Sequence, residues 1–306
     1  MISVVIPVKD GGADLRRCLQ AVAEQVVDDE VEVVVVDSGS RDDSVAVARA
    51  AGARVHAIAP SDFNHGATRN LAAGLARGEV LVFTSQDAYA PQPDWLARLT
   101  APLRDPAVGG AYGRQVAHEG ASPAERFFLD FLYGPTARTQ RAAGAAELTM
   151  DTTLFSNVNA AMRRDVFARF PFVDDIVMSE DQEWSRRVLL AGYELRYVAD
   201  AVVRHSHAYT MRAAFRRFFD SGASSEVAYM AGGAPASAAL RARSVDYARR
   251  ELRWLWTHHK AAIPHAVAYE ASKFLGLQLG LRHRRLPLWL KRRCSALPTY
   301  WRAGTA

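Results

Sequence analysis

The stretch GEVLVFTSQDA, residues 78–88, decides the fold of this chain. Its apolar run, residues 80–83, is typical of a short strand that is buried on both faces of a parallel sheet. Polar residues follow at once and lead to Asp87. Open α/β folds bind their ligands at the carboxyl edge of the sheet, so this position makes Asp87 a candidate site residue. The spacing alone leaves open that Asp87 only caps the turn leading into residues 91–93.

Strand and helix patterns alternate through the first 116 residues. Largely apolar runs predict further strands at residues 3–8 and 31–36, a third strand is predicted at 54–58, and helical spacing predicts helices between the strands. Repeated βα units of this length indicate a parallel, Rossmann-like sheet with right-handed crossovers. No G-x-G-x-x-G follows the first strand and the chain has no G-x-x-x-x-G-K-[ST], which disfavours dinucleotide oxidoreductases and P-loop proteins.

The predicted strands are followed by polar residues. These endings read Pro7-Val8-Lys9-Asp10, Asp37-Ser38-Gly39-Ser40 and Ser85-Gln86-Asp87. Because the carboxyl ends of parallel strands meet at one edge of a sheet, these side chains could converge on one ligand.

Beyond residue 116 the alternation breaks down. Residues 108–116 are predicted as an edge strand, and two short strands are predicted at 194–197 and 201–204. Residues 136–147 are rich in Ala, Gly, Thr and Arg without an apolar face. They are predicted as a mobile loop and a candidate lid over substrate.

An acidic pair, Glu180 and Asp181, follows Ser179, a residue type suited to cap a helix. The pair would then lie in the first helical turn, where acidic side chains complement the helix dipole. On the residues alone, this ordinary explanation is favoured over a catalytic one.

Composition limits the class of protein. Cys18 and Cys294 provide neither a disulfide framework nor a zinc-ligand spacing, so a reducing cytoplasmic setting is the default. The first residues, MISVVIPVKDGG, have no charged segment before the apolar run and are predicted as a strand, not a signal peptide. The apolar residues 261–281 include His265, Glu270 and Lys273, which argues against a membrane span.

Charge is distributed unevenly along the 306 residues. The formal net charge is +5, but 14 Lys and Arg against 3 Asp and Glu follow residue 240, so this part carries +11 and the rest −6. Four of the six tryptophans lie in the same basic part: Trp254, Trp256, Trp289 and Trp301. Trp and Leu mixed with Arg and Lys are typical of a membrane-surface element, predicted here for residues 240–302. A packed helical domain or a dimer contact stays open; RNA binding is not expected, because no nucleic-acid motif accompanies the charge.

Nine segments together resemble family 2 glycosyltransferases of the GT-A fold, and within them the bacterial dTDP-L-rhamnosyltransferases. The segments are VVIPVKDGG (4–12), VVVVDSGSRDDS (33–44), FNHGATRN (63–70), ARGEVLVFTSQDA (76–88), YGRQ (112–115), FSNVNAAMRRDVF (155–167), SEDQEW (179–184), AGYELRYVADAVVRHSH (191–207) and FFDSG (218–222). They extend over about the first 220 residues.

The resemblance implies an α/β fold, a Rossmann-like nucleotide-diphospho-sugar transferase with a mixed sheet flanked by helices. The residues after the matched segments predict a helical C-terminal extension. The resemblance implies a catalytic domain at 1–225, with a nucleotide-binding part at 1–116 and an acceptor and catalytic part at 117–225. A basic, Trp-rich helical region at 238–306 follows.

The resemblance also implies roles for individual residues. Asp37 would take the base, Pro7, Lys9 and Asp10 would line the nucleoside pocket, and Arg69 would approach the diphosphate. The whole set implied for nucleotide-sugar binding is Pro7, Lys9, Asp10, Asp37, Ser38, His65, Arg69, Ser85, Gln86, Asp87, Arg114 and Trp184.

The metal-binding D-x-D motif of the family corresponds to Ser85-Gln86-Asp87, in which serine replaces the first acid. A Mg²⁺ or Mn²⁺ ion would then be held by Asp87, diphosphate oxygens, water and His205. Mg²⁺ commonly keeps several waters and uses only one or two carboxylates, so one acid is compatible with a metal.

The resemblance makes Asp181 the catalytic base, with Glu180 beside it, in an inverting transfer of L-rhamnose from dTDP-β-L-rhamnose. The acceptor would be a glycan or lipid-linked glycan of a bacterial surface polysaccharide, reached at the inner face of the cell membrane. Two alternatives stay open: another donor such as a UDP-hexose, or, because of Ser85, a non-catalytic nucleotide-sugar-binding protein. Homo-oligomer formation is also left open.

Overall fold

The computed structural model describes residues 1–228 and 236–302, which form eight strands and eleven α-helices. The strands are β1 (Ile2–Val8), β2 (Val31–Asp37), β3 (Arg54–Ala57), β4 (Val80–Thr84), β5 (Val108–Val116), β6 (Arg138–Gln140), β7 (Asn159–Arg163) and β8 (Glu194–Arg204). The helices are α1 (Gly12–Ala23), α2 (Ser44–Ala50), α3 (His65–Leu75), α4 (Trp95–Thr100), α5 (Pro123–Leu132), α6 (Arg164–Arg169), α7 (Glu180–Leu190), α8 (Met211–Ala228), α9 (Ala236–His258), α10 (Ile263–Gly280) and α11 (Leu288–Cys294).

These elements form two compact units. The first unit comprises Met1–His118, Tyr133–Asp174 and Glu180–His205. The second comprises Glu119–Leu132, Asp175–Ser179 and the described part of Ser206–Ala306. The functional division into 1–225 and 238–306 stays a prediction; residues 229–235 and 303–306 lie outside the described residues.

The first unit is built on one mixed sheet with the strand order β3-β2-β1-β4-β7-β5-β8-β6. Strands β3, β2, β1 and β4 run parallel, whereas β7 is antiparallel to both β4 and β5. The central strands β1 and β4 are largely apolar and buried except for the half-buried Pro7 and Val80, as expected for a sheet covered on both faces. The predicted mixed α/β sheet is confirmed.

Strand β5 is an interior strand between β7 and β8, so its prediction as an edge strand is wrong. Its glycines let other parts of the chain approach closely, which a local pattern does not reveal. A Cβ atom at Gly113 would lie 2.1 Å from the carbonyl oxygen of Ala201, and one at Gly110 would lie 2.8 Å from the Trp184 ring. Strand β8 pairs with β5 along its length and is one strand with a register shift, not two.

Residues 136–147 are not a continuous loop, because Arg138–Gln140 form β6, antiparallel to β8. The Arg138 guanidinium lies 4.7 Å from the centre of the Tyr197 ring and donates a hydrogen bond to the Tyr112 hydroxyl, 2.8 Å away. Contacts with residues distant in sequence therefore fix a strand whose own composition is that of a loop.

Strands β1, β2 and β4 end at the same edge of the sheet, where Val8 is in register with Asp37. The Gln86 side chain joins two of these ends: its Oε1 accepts from the Lys9 amide at 2.8 Å and its Nε2 donates to the Lys9 carbonyl at 3.0 Å. The predicted polar strand endings thus converge at one edge.

The second unit is helical. Helices α8 and α10 approach so closely that a Cβ atom at Gly276 or Gly280 would lie 2.2 or 2.1 Å from a carbonyl oxygen of α8. A separate apolar cluster is formed around Phe219 and Trp301. Among residues 1–228 and 236–302, no helix has the length and hydropathy needed to cross a bilayer.

Candidate active site

Asp87 follows the buried strand β4 and is itself partly exposed. Its Oδ1 lies 3.7 Å from Nε2 of His205. The backbone holds these two residues together: Tyr89 and Arg204 exchange two hydrogen bonds of 3.2 and 2.8 Å. The His205 amide also donates to the Val116 carbonyl at 2.9 Å. The backbone therefore places Asp87 and His205, the two predicted metal ligands, close to each other at the sheet edge.

A chain of side chains orients the imidazole of His205. Nε2 of Gln115 donates to the Ser156 hydroxyl at 2.9 Å, and this bond turns Oε1 of Gln115 toward Nδ1 of His205, 3.0 Å away. In neutral His205 the Nδ1 proton then faces Gln115, and the Nε2 lone pair faces Asp87. An imidazole nitrogen and a carboxylate oxygen that face each other at this distance are suitable ligands for a divalent cation. His207, two residues further along the chain, is another candidate ligand by its position in the sequence.

Glu180 and Asp181 begin α7, but their carboxylates have different surroundings. The Glu180 side chain is buried, and its Oε1 accepts from Nη1 of Arg69 and from Nδ2 of Asn157, both at 3.0 Å. Asp181 is partly exposed; its Oδ2 accepts from the Asn157 amide at 3.1 Å. Glu180 is thus enclosed in an ion pair, whereas the Asp181 carboxylate is held by the backbone amides of Asn157 and Gln182.

These surroundings shift the pKa values of the two carboxyl groups in opposite directions. Burial alone would raise the pKa of Glu180, but the Arg69 guanidinium and His65 hold it below its usual range. Burial, and after it the adjacent Glu180 carboxylate, raise the pKa of Asp181 well above the usual range of an aspartate. Asp181 is therefore the better proton acceptor of the pair, the property expected of a general base.

Arg69 lies on α3, which starts with the Asn64 side chain accepting from the amides of Gly66 and Ala67 at 2.8 and 3.0 Å. Its Nη1 also donates to the His65 carbonyl at 3.2 Å. Its Nε is buried and has no hydrogen-bond partner among the described residues. Arg69 thus contacts the first residue of α7 through Glu180, and the sequence did not predict this contact.

The predicted nucleoside-binding residues are joined by hydrogen bonds at the ends of β1 and β2. The Asp37 carboxylate accepts from the amides of Gly39 and Ser40 at 3.0 and 3.1 Å. Nζ of Lys9 donates to the carbonyls of Ser38 and Gly39, both at 3.1 Å. Asp10, in the left-handed region with φ 47°, accepts from the Arg41 amide at 2.7 Å. These contacts order the loop that the sequence predicts as part of the nucleoside pocket.

The remaining predicted residues lie in varied surroundings. Pro7, His65, Ser85 and Arg114 are half-buried. The His65 ring packs edge-on against Phe63, and Nε of Arg114 donates to the Tyr133 carbonyl at 3.1 Å.

Trp184 is a core residue, which corrects its prediction as a donor-binding residue. Its side chain is fully buried, with its ring 5.1 Å from that of Phe155 and in the space left by Gly110. Because the Trp184 side chain has no exposed surface, it packs inside the core and does not line a binding cleft.

Two amide residues that sequence reasoning did not assign, Asn157 and Gln115, hold the candidate catalytic groups in place. Both fall inside motifs that were recognised, FSNVN and YGRQ.

A family model described as glycosyl transferase family 2 matches residues 3–170. The chain is 33% identical to the O-antigen chain rhamnosyltransferase RfbN of Salmonella typhimurium, over 98% of this chain and 96% of the relative. It is also 33% identical to the O-antigen chain rhamnosyltransferase WbaN of Salmonella anatum, over 88% and 86% of the two chains. Among solved structures, it resembles the mannosyltransferase PcManGT of Pyrobaculum calidifontis, in complex with GDP-Man and Mn²⁺, with a TM-score of 0.62, 20% identity and coverage of 92% and 87%.

Proposed function

Because the chain belongs to glycosyl transferase family 2 and is a glycosyltransferase, we propose that it transfers L-rhamnose from dTDP-β-L-rhamnose to a glycan or lipid-linked glycan. The main support for rhamnose is the identity of one residue in three, along nearly the whole chain, with an O-antigen chain rhamnosyltransferase. The product would be part of a bacterial surface polysaccharide.

We propose Asp181 as the general base. Its partly exposed carboxylate removes the proton from the acceptor hydroxyl while that oxygen attacks the anomeric carbon of the donor. The bond from the anomeric carbon to the diphosphate breaks on the opposite face, and dTDP leaves with the electron pair. One displacement inverts the configuration, so a β-linked donor gives an α-L-rhamnoside.

Glu180 and Asn157 position the base and do not react. The Asn157 amide holds one oxygen of Asp181, and its side chain holds Glu180. The negative charge of Glu180 raises the pKa of Asp181 and so keeps it basic. The positive charge of Arg69 stabilises the ionised form of Glu180, so that Glu180 stays charged beside Asp181. Arg69 also supplies positive potential for the departing diphosphate.

The donor set fits a divalent cation, because one carboxylate oxygen and one oriented imidazole nitrogen face each other at 3.7 Å. Asp87 and His205 would hold Mg²⁺ or Mn²⁺. When bound, the ion would neutralise the charge that develops on the diphosphate. Asp87 and His205 provide two ligands, so the absence of a first acid at Ser85 leaves the remaining positions to donor oxygens and water.

The protein would work in the cytoplasm at the inner face of the cell membrane, where a lipid-linked acceptor is accessible. The basic charge that follows residue 240 supports this location.

A donor panel tests the proposed function. Purified protein is incubated with dTDP-β-L-rhamnose, dTDP-glucose, UDP-glucose or UDP-GlcNAc, with and without Mn²⁺, and release of the nucleotide diphosphate is measured. Preferential turnover of dTDP-β-L-rhamnose that depends on Mn²⁺ is the expected result. Preference for a UDP-sugar would overturn the donor, and binding of a nucleotide sugar without turnover of any would favour a non-catalytic protein.

A further inference from the structure

The second unit exposes most of the large apolar side chains found on the surface. Of the twelve such side chains among the described residues, nine belong to this unit. Trp256 and Trp289 are 63% and 66% exposed, whereas Trp301 is 2% exposed and Trp254 packs on Phe127. The four tryptophans of the basic part therefore divide into two structural residues and two that face solvent.

Helix α9 carries an apolar stripe on its exposed side. Val245, Leu252 and Trp256 are separated by seven and four residues, which places them on one face of the helix. The buried side of the helix contains Tyr247 and Leu255. An amphipathic helix of a globular domain normally directs its apolar stripe inward only, so a second, outward stripe needs another explanation.

Basic side chains flank this stripe. Arg249 and Arg253 are exposed, one turn after Val245 and one turn before Trp256. Nζ of Lys260 lies 5.1 Å from the centre of the Trp256 ring. Asp246, the one exposed acid described between residues 242 and 302, is paired with Arg250 at 2.9 Å. The stripe thus has a cationic margin with little acidic charge.

Helix α10 has an exposed face without charge, which includes Phe274 and Leu275. The two charged residues of this helix, Glu270 and Lys273, pair with each other at 2.7 Å, and Lys273 is buried among aromatic rings. Helix α11 adds the exposed Trp289, followed one turn later by the exposed Arg292 and Arg293.

We propose that the second unit binds a bilayer that contains anionic phospholipids through its exposed apolar side chains, here called the bilayer surface: Val245, Leu252 and Trp256 of α9, Phe274 and Leu275 of α10, and Trp289 of α11. Apolar and indole groups enter the interface between headgroups and acyl chains, while Arg and Lys bind lipid phosphates. This proposal specifies which side chains would hold the protein at the membrane. It rests on the proposed function for the presence of a lipid-linked acceptor in that membrane.

Charge favours a bilayer over a second copy of the chain as the occupant. A two-fold contact between copies would bring two cationic margins together, with few acidic side chains to offset them. Anionic headgroups provide the missing negative charge, and a bilayer accepts apolar side chains without matching their shape.

Vesicle flotation with the full chain tests this surface without donor or acceptor. Vesicles of phosphatidylcholine mixed with phosphatidylglycerol are compared with pure phosphatidylcholine, at low and high salt. We expect binding to the anionic vesicles that weakens with salt. The double variant Trp256→Gln/Trp289→Gln should reduce it by about tenfold or more, and Arg249→Gln/Arg253→Gln should reduce binding at low salt more than at high salt.

A matched control is Val26→Gln/Leu190→Gln, which removes two exposed apolar side chains of the first unit and should leave vesicle binding unchanged. No binding to anionic vesicles at low salt would overturn the surface, as would equal losses in the control and the tryptophan variant. A dimer in sedimentation that Trp256→Gln dissociates would assign the face to a second copy instead. Turnover of a sugar nucleotide plays no part in flotation, so failure of the proposed donor leaves this result interpretable.

Discussion

Nδ1 of His205 lies 3.0 Å from Oε1 of Gln115, and this contact determines which imidazole nitrogen faces Asp87. Gln115 is itself fixed by its donation to Ser156, so its amide cannot rotate without breaking two bonds. Partners of this kind keep a metal-binding histidine in the required tautomer and raise its basicity. The arrangement predicts that an amide residue on β5 contributes to metal affinity without touching the ion.

Gln115→Leu should weaken Mn²⁺ binding by about 10- to 100-fold, because His205 loses the acceptor that orients it. The electron paramagnetic resonance signal of free Mn²⁺, titrated with protein, measures this affinity without turnover. Gln140→Leu is a matched control: Gln140 is another buried glutamine of the first unit, with its Nε2 bonded to the Leu154 carbonyl. Equal Mn²⁺ affinity in the Gln115 variant and the wild type would contradict the orienting role.

Asp181→Asn should lower the transfer rate by a factor on the order of 100 to 10,000, because an amide cannot accept the acceptor proton. Binding of dTDP, followed by calorimetry, should be unchanged, since the carboxylate is assigned to the acceptor and not to the donor. Asp165→Asn, which changes an exposed carboxylate on α6 that pairs with Arg163, serves as the control. Near-normal turnover of the Asp181 variant would show that another group is the base.

The pH dependence of transfer should report the raised pKa of Asp181. The base acts when deprotonated, so the rate should fall as the pH falls through this pKa, closer to neutrality than for an ordinary aspartate. Glu180→Gln removes a negative charge that raises this pKa, so the acid limb of the kcat profile should move to lower pH. A limb at the same pH in both proteins would rule out Glu180 as the cause.

The parts of the fold that could be predicted from the sequence are those in which a strand is recognised by its own residues. Residues 80–83 are an apolar run and residues 31–36 are apolar except for Glu32; polar residues follow both, and both are strands in the structure. Strand β6 could not be predicted in this way, because Arg138 is held by aromatic rings far away in the sequence.

The candidate site shows the same division. Asp87 and His205 were assigned by resemblance, but Gln115 and Asn157 act through hydrogen bonds to partners 90 and 23 residues away. Local pattern carries no information about such partners. The burial of Trp184 was missed for a related reason, because it depends on a glycine in another strand.

The buried pair of Arg69 and Glu180 predicts a non-additive effect on stability. Arg69→Met leaves the Glu180 carboxylate buried without its cation and should lower the free energy of unfolding by about 3–5 kcal/mol. Adding Glu180→Gln removes that charge, so the double variant should be more stable than the single Arg69 variant. Denaturant unfolding of the four proteins in a double-mutant cycle measures the coupling. Additive losses would mean that the two side chains do not interact.

The close packing of α8 and α10 predicts a strong effect of a single methyl group. Gly276→Ala places a Cβ atom 2.2 Å from the Phe215 carbonyl oxygen, so the helices must separate. This overpacking should destabilise the second unit by about 1–3 kcal/mol or more.

Gly74→Ala is the matched control, because Gly74 is also helical but has no atom within 4 Å of its Cβ position. This variant should gain up to about 1 kcal/mol of stability from helix propensity. Thermal unfolding of both variants measures the difference, and equal midpoints would show that the helices can separate without loss. Because the proposed bilayer surface includes side chains of α10, Gly276→Ala should also weaken vesicle binding, whereas Gly74→Ala should not.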